Sequence, residues 1–393
     1  MLSVEEARAR ILALARQMPS ETVTLRAAAG RVLAEDVFAA RASPPFPASA
    51  MDGYAVRSAD VAPGARLRVI GSAPAGAAFE GTVGAGEAVR IFTGAPVPHG
   101  ADRILIQEDA TASGAEITVG DRPDPGPYVR PAGNDFHENA CLAAPRRLSP
   151  ADLALAAAMN APSLRVRRQP IVAIVPTGDE LVVPGSAPRD DQILSANGYG
   201  LAALLEAAGA LARLLPIAPD TTEGLARVLA LGADADVIVT LGGASVGDHD
   251  LVQKTALDGG LDLSFYKIAM RPGKPLMAGH FGRAALIGLP GNPVSSMVCG
   301  RVFVAPLISA MLGLDPADPP RPATLAAPIG PNGPRAHFMR ARRDARGRVD
   351  VFSRQDSALL SVLQKADCLV LRDPHAPGAE AGETVSILDL AYP

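Results

Sequence analysis

Three runs of apolar residues, PIVAIV at 170–175, DVIVTLGG at 236–243 and AALIGLP at 284–290, recur with helix-patterned stretches between them. Each is too short for a globular helix, lacks the alternation of a half-exposed strand, and runs into proline or glycine. Such runs read as strands buried on both faces. Strands alternating with helices imply a doubly wound α/β unit, a parallel sheet covered by helices on both sides. The reading for 169–314 is a strand at PIVAIV, a helix over 198–208, a strand near 212–217 and a helix near 221–231. The strand DVIVTLGG, a further helix, strands at 263–268 and 284–290, and a long helix from Asn292 complete it. Ligands of such sheets bind beyond the carboxyl ends of the strands, so the loops that follow these runs are where chemistry is expected.

The flanking segments have other textures. Ser3 and Glu6 form a capping-box pattern ahead of Ala7, Ile11 and Leu14, which predicts a helix ending near Pro19. A second helical run is expected over 25–34. From Arg41 a proline-dense connection, SPPFPASAMDGYAV, leads into short β-like runs at 66–70, 88–92, 103–107 and 116–119. Residues 150–161 return to helix, with Ser149 as N-cap and Pro150 in the first turn. After the proline-rich DPADPPRPA, β-like texture resumes. The expected organisation is a discontinuous helical unit (1–40 with 137–168), an inserted small β unit (41–136), the α/β unit (169–317) and a C-terminal β unit (318–393).

Charge and cysteine content exclude several classes. The formal net charge is −4, so no general field for nucleic acid or a membrane surface is expected. Only Lys254, Lys267, Lys274 and Lys365 are lysines among 37 basic residues, and two of these four fall in one loop. Cys141, Cys299 and Cys368 are far apart with no CxxC, which argues against a disulfide framework or a zinc site and for a reducing compartment. The N-terminal segment mixes charge signs, unlike a signal peptide. The uncharged apolar stretch Val302 to Leu314 is short for a bilayer span. A cytoplasmic protein is expected.

Four loops of the α/β unit stand out. In PTGDEL, Gly178 offers a flexible backbone beside Asp179 and Glu180; the alternative is a polar turn. In LGGASVGDHD, Gly242, Gly243 and Gly247 allow close backbone approach to an anion, with Ser245 among them, and Asp248 and Asp250 suit a divalent ion shared with phosphate oxygens. In LPGNPVSS, Pro290 and Gly291 precede Asn292 as N-cap and Pro293 at the first helical position, and a helix start is a ready anion site. Between them, YKIAMRPGKP carries Lys267, Arg271 and Lys274 on a proline-stiffened backbone. Each has a purely structural reading. Together they describe a site for a phosphate-bearing molecule and a divalent metal, where catalysis is positioning and charge neutralisation at phosphorus.

MDGYAV, FTGAPVP, RPAGND, PTGDEL, GGASVGD, KIAMRPGKP and LPGNPVSS, in this order, resemble the molybdopterin molybdenumtransferase family, the MoeA-type molybdenum insertases also represented by the C-terminal part of gephyrin. The resemblance implies an elongated four-domain subunit, usually a homodimer, with a cleft built between domains. The implied substrates are molybdate and adenylylated molybdopterin. Their reaction would hydrolyse the phosphoanhydride with Mg²⁺, release AMP and place molybdenum in the dithiolene. A molybdopterin adenylyltransferase and a molybdoenzyme chaperone are the partners it suggests.

Motif by motif, the resemblance assigns catalytic roles to Asp52, Thr93, Asp135, Glu180, Asp250, Lys267 and Lys274. It makes Glu180, Asp220, Asp248 and Asp250 metal-ligand candidates. Arg271 keeps the charge at a position that relatives can fill with lysine, and Arg340 and Ser357 resemble cleft residues of the last domain. Two other readings stand beside this one. A molybdopterin adenylyltransferase would resemble 170–314 alone, and a non-enzymatic scaffold of the gephyrin kind would not use the cleft. A preference for tungsten is a variant of the first reading.

Overall fold

The computed structural model describes residues 1–243 and 251–391. At its centre lies a six-stranded sheet in the order Leu211–Leu214, Ile171–Pro176, Val237–Leu241, Ala284–Leu289, Met277–Phe281 and Leu261–Tyr266. The first four strands are mutually parallel, with Val172 beside Val237 and Val237 beside Ala285. Met277–Phe281 runs antiparallel to both neighbours, so Leu261–Tyr266 again points with the parallel set. The sheet is therefore mixed. The sequence MAGHF of the reversed strand, with Gly279 and His280 inside it, has neither a solid apolar run nor strict alternation, and it escapes a reading by pattern.

Strand alternation distributes the core. Val172, Ile174, Val237, Val239 and Ile287 face one cluster with Leu201 and Leu205 of the helix Asn197–Ala207 and the helical run from Pro293 to Met311. Ala173, Val175, Ile238 and Leu286 face the other cluster, with Leu225, Val228 and Leu229 of the helix Thr222–Ala230 and Val252 and Ala256 of Leu251–Asp258. Full burial of each larger side chain is worth roughly 1.5–3 kcal/mol, and it fixes the register, since a slip of one residue would exchange the two faces. The sheet is thus doubly wound as expected. By length and hydropathy alone Pro293–Met311 could cross a bilayer, but 89% of its apolar window is buried inside the protein.

Around this centre, among the described residues, stand three further sheets of four or more strands, besides three two-stranded pairings. Ser20–Thr24, Ser163–Arg167, Val32–Leu33 and Arg146–Arg147 form a four-stranded sheet that unites two distant parts of the sequence. The helix expected over 25–34 is not there. A short 3-10 turn at Arg26–Ala28 and Gly30 at φ +69° reverse the chain, and Val32–Leu33 then pairs as a strand. Ladder pairing has overridden a weak local preference in LRAAAGRVL. The helix Val4–Leu12 keeps its capping box between Ser3 and Glu6 but ends well before Pro19. Pro150–Ala158 has Ser149 as its cap. A six-stranded β unit orders Arg103–Ile106, Gly53–Val56, Glu87–Ile91, Arg66–Ala73, Glu116–Val119 and Ala110–Ser113. The last sheet orders Met270–Arg271, Ala336–Arg343, Cys368–Arg372, Thr384–Asp389 and Arg321–Thr324, with Val349–Val351 beside Ala336–Arg343.

Candidate active site

Because five of the six central strands point the same way, the loops after Pro176, Leu241, Tyr266 and Leu289 emerge at one edge of the sheet. Close backbone approach joins three of them. A Cβ on Gly242 (φ +101°) would lie 2.9 Å from the Thr177 carbonyl oxygen, and one on Gly291 would lie 3.3 Å from the Gly242 Cα. Only residues without side chains let these turns converge. Gly178 (φ +143°) is crowded likewise by the Glu180 carboxylate. Asn197 Nδ2 donates to the Gly291 carbonyl at 2.7 Å, which ties the next helix to the same turn. Asn292 and Pro293 do open the helix Pro293–Cys299, although the Asn292 side chain makes no capping bond, and Pro290 is buried just before them.

The loop carrying the cations is held on both sides. Leu2 bridges to Ile268 on one flank, while Met270–Arg271 extends the C-terminal sheet, with Arg271 beside His337. Within the loop, Lys267 adopts φ +73°, unusual for a side-chain-bearing residue, and its ammonium lies 4.5 Å from the centre of the Tyr266 ring. Gly273 packs where a Cβ would be 2.5 Å from Cys299 Sγ, fastening the loop to the helix that begins at Pro293. Among the described residues, Lys267, Arg271 and Lys274 form no ion pair with a carboxylate.

Arg340 and Ser357 enter from the C-terminal sheet. Arg340 is buried, with its backbone N–H and Nε donating to Gln355 Oε1 at 3.0 and 3.2 Å and Nη1 to the Asp356 carbonyl at 2.8 Å. Ser357 contributes its carbonyl, which accepts the Val294 N–H at 2.9 Å. That bond uses one of the amides expected to face an anion at the helix start. His337, absent from the sequence reading, is buried with Nε2 unpartnered. Burial, then the charges of Arg271, Arg340 and Arg335, push its imidazole down to about 4.

The acids gather less tightly. Asp220 donates its N–H to Asp179 Oδ1 at 3.1 Å just before the helix Thr222–Ala230. Partial desolvation, followed by repulsion from Asp179 and Glu180, raises the Asp220 carboxyl above the usual aspartate range. Mutually repelling carboxylates with hard oxygen donors suit a divalent cation, so Glu180 and Asp220 fit that group in kind. Among the described residues, however, no cluster of three or more His, Cys, Asp or Glu side chains could hold a metal. Ser245, Gly247, Asp248 and Asp250 lie outside the described residues.

The remaining candidates sit in the β unit. Thr93 donates its N–H and hydroxyl to Asp52 Oδ1 at 2.7 and 2.8 Å, and these bonds, with the more distant Arg90, hold the Asp52 carboxyl below the usual range. Asp135 is exposed on a turn whose N–H donates to the Ser43 carbonyl at 2.9 Å. The structure therefore brings Asp52 and Thr93 together, while their hydrogen bonds stay within the β unit. Sequence reasoning missed Arg90, Gln107, Asn197, His337 and Gln355. Cross-strand register alone places Arg90 opposite Tyr54, and no motif signals that.

The fold is that of a multidomain α/β protein whose conspicuous loops leave the carboxyl edge of one sheet. Its regions match three family models: the MoeA N-terminal region (domain I and II) at 2–160, a probable molybdopterin binding domain at 173–310, and the MoeA C-terminal region (domain IV) at 322–390. A molybdopterin molybdenumtransferase from Haemophilus influenzae is 34% identical, covering 98% of both chains. Molybdopterin molybdenumtransferase 2 from Mycobacterium tuberculosis is also 34% identical, over 99% of this chain and 100% of that one. A crystal structure of the molybdopterin biosynthesis MoeA protein from Pyrococcus horikoshii superposes with a TM-score of 0.84 at 28% identity, covering 99% of each chain. The chain belongs to the MoeA family and is, with it, a transferase enzyme of elongated multidomain α/β fold.

Proposed function

We propose that this protein inserts molybdenum from molybdate into adenylylated molybdopterin, with Mg²⁺-dependent hydrolysis of the phosphoanhydride and release of AMP. The observation that carries the reading is the convergence of three glycine-built turns, at Gly178, Gly242–Gly243 and Gly291, at the sheet edge from which the loop bearing Lys267, Arg271 and Lys274 also leaves. The Gly178 and Gly242 N–H groups are given to the Ala218 and Leu289 carbonyls, so the turns would serve phosphate oxygens by letting them approach the backbone closely and through the other amides of the loops. Lys267, Arg271 and Lys274, which pair with no carboxylate among the described residues, would neutralise charge that develops at phosphorus and orient an oxyanion such as molybdate. Arg340, pinned by Gln355 and Asp356, supplies a guanidinium of fixed orientation.

Glu180 and Asp220, with Asp248 and Asp250, are the residues that would hold Mg²⁺, whose chemistry there is to polarise the phosphate oxygens. Asp52, Thr93 and Asp135 would complete the cleft from the β unit. Closure of that cleft from a second subunit would give them access, which is why a homodimer belongs to the proposal. So do the four-domain boundaries at 1–40 with 137–168, 41–136, 169–317 and 318–393, a cytoplasmic setting, an adenylyltransferase that supplies the substrate and a molybdoenzyme chaperone that receives the product.

The test is AMP release from adenylylated molybdopterin by the purified full chain. Release should require both molybdate and Mg²⁺, and Glu180→Ala or Lys274→Ala should lower it at least tenfold. Net transfer of AMP from ATP onto molybdopterin would replace the proposal with an adenylyltransferase. Cleft variants that fully support molybdoenzyme maturation would replace it with a scaffold. Substituting tungstate reads the metal preference.

A further inference from the structure

Arg90 lies on the strand Glu87–Ile91, directly across from Tyr54 on Gly53–Val56. Its guanidinium carbon lies 5.1 Å from the centre of the Tyr54 ring and 4.9 Å from that of Phe92, so two aromatic faces flank it. Such placement favours a planar cation and restricts its motion. Both terminal nitrogens of the fork are engaged: Nη1 donates to the Gly53 carbonyl at 3.1 Å and Nη2 to Gln107 Oε1 at 2.8 Å. Gln107 in turn donates its backbone N–H to the Asp52 carbonyl at 3.1 Å.

The two peptide groups that flank Gly53, Asp52–Gly53 and Gly53–Tyr54, are therefore held from neighbouring strands. Gly53 cannot be exchanged to do this work by itself, because a Cβ there would be 2.1 Å from the Leu105 carbonyl oxygen. What remains free is the Asp52 side chain, and Thr93, just past Phe92, takes one of its oxygens with two hydrogen bonds. Arg90 thus touches every element that presents the pair: the start of one strand, the end of a second and, through Gln107, the end of a third.

We propose that Arg90 is a positioning residue for the proposed reaction: clamped between Tyr54 and Phe92, it fixes the backbone that aims Asp52 and Thr93 into the cleft. The inference rests on the reading that Asp52 and Thr93 serve that reaction. Because the fork makes two directed bonds, a lysine would return the charge without the clamp, and a methionine would return neither.

A double-mutant experiment on the full chain tests this. AMP release is measured for Arg90→Met, Arg90→Lys, Asp52→Asn and the two double variants. Arg90→Met should lower kcat/KM roughly tenfold or more, the scale expected when a reacting group is misplaced, mainly in kcat, with Arg90→Lys restoring only a minor part. In the Asp52→Asn background the same changes should cost less than about twofold, because a residue acting through Asp52 has nothing left to position. Equal losses in both backgrounds, or full activity in Arg90→Met, would overturn the proposal.

A second readout is independent of the reaction: carboxyl ¹³C titration of Asp52. Its midpoint should rise not only in Arg90→Met, which also removes a nearby positive charge, but in Arg90→Lys, which keeps that charge; a midpoint unmoved in Arg90→Lys would show that Arg90 acts on Asp52 by charge alone and would overturn the clamp. Should Asp52→Asn leave activity intact, the assignment of Asp52 to the reaction fails, while the titration still decides whether Arg90 positions it. Arg90→Lys, which keeps the charge and most of the packing, carries the test if the methionine variant does not fold.

Discussion

At the junction of the cationic loop with the C-terminal sheet, His337 lies beside Arg271 in the strand ladder and feels Arg335 and Arg340 as well. With its imidazole pushed down to about 4, the folded protein keeps the ring neutral where an unfolded chain would protonate it. Above pH 6.5 neither state binds the proton, and stability is unaffected by this residue. Between pH 6.5 and about 4 the unfolded state binds more protons, so stability falls as pH falls, by about 2 kcal/mol at pH 5. Chemical denaturation at pH 7 and pH 5 should show this loss, and His337→Gln should lack that increment; the same loss in both proteins would refute it. None of this was visible in the sequence. RAHFMR carries its histidine without any motif, and the arginine beside it comes from the loop far earlier in the chain. Residue placements were legible where a turn demanded glycine or proline, and illegible where they depended on which strand lies next.

The elements at the carboxyl edge were legible because their signals are local. PTGDEL, LGG and LPGNP each follow a buried strand directly, so their positions on the sheet follow from strand direction alone. Met277–Phe281 and the strand at Val32–Leu33 were not, since both are selected by pairing rather than by pattern. The contact between turns can be tested with two glycines. Gly242 and Gly260 share a left-handed φ, +101° and +94°, but a Cβ on Gly260 meets nothing within 4 Å. Both Gly242→Ala and Gly260→Ala should destabilise the protein by about 1–3 kcal/mol through backbone strain. Only Gly242→Ala should also depress AMP release, because its methyl group would push against Thr177 and separate the turns. Comparable activity in the two variants would show that the convergence has no part in the reaction.

For the molecule as a whole, one apolar cluster runs from Ile11 and Leu14 through the central sheet to Phe338, Leu369 and Leu388. Arg301, buried within the same region, donates to the Asp389 carbonyl at 2.9 Å and pairs with Asp318. The central and C-terminal parts are thereby one cooperative body. The β unit differs: its two clusters draw only on residues between Tyr54 and Val129. Calorimetry should resolve two unfolding transitions, and hydrogen exchange at intermediate temperature should find 53–119 either wholly open or wholly protected while the central strands are not in step with it. A single transition with uniform exchange would contradict this. Domain texture was readable from composition, but this sharing of one core was not, because it depends on which faces meet in space.

The loop of Lys267, Arg271 and Lys274 closes between Leu2 and Ala336. A ribosome makes those walls at very different times, the first long before the loop and the second well after it. Until the C-terminal sheet is synthesised and docked, Met270 and Arg271 have no strand to join. A chain truncated ahead of Ala336 would therefore hold the central sheet's material while Met270 and Arg271, in the loop of the three cations, lack the strand they pair with. On the proposed function, competence to bind would in this way be coupled to completion of the polypeptide.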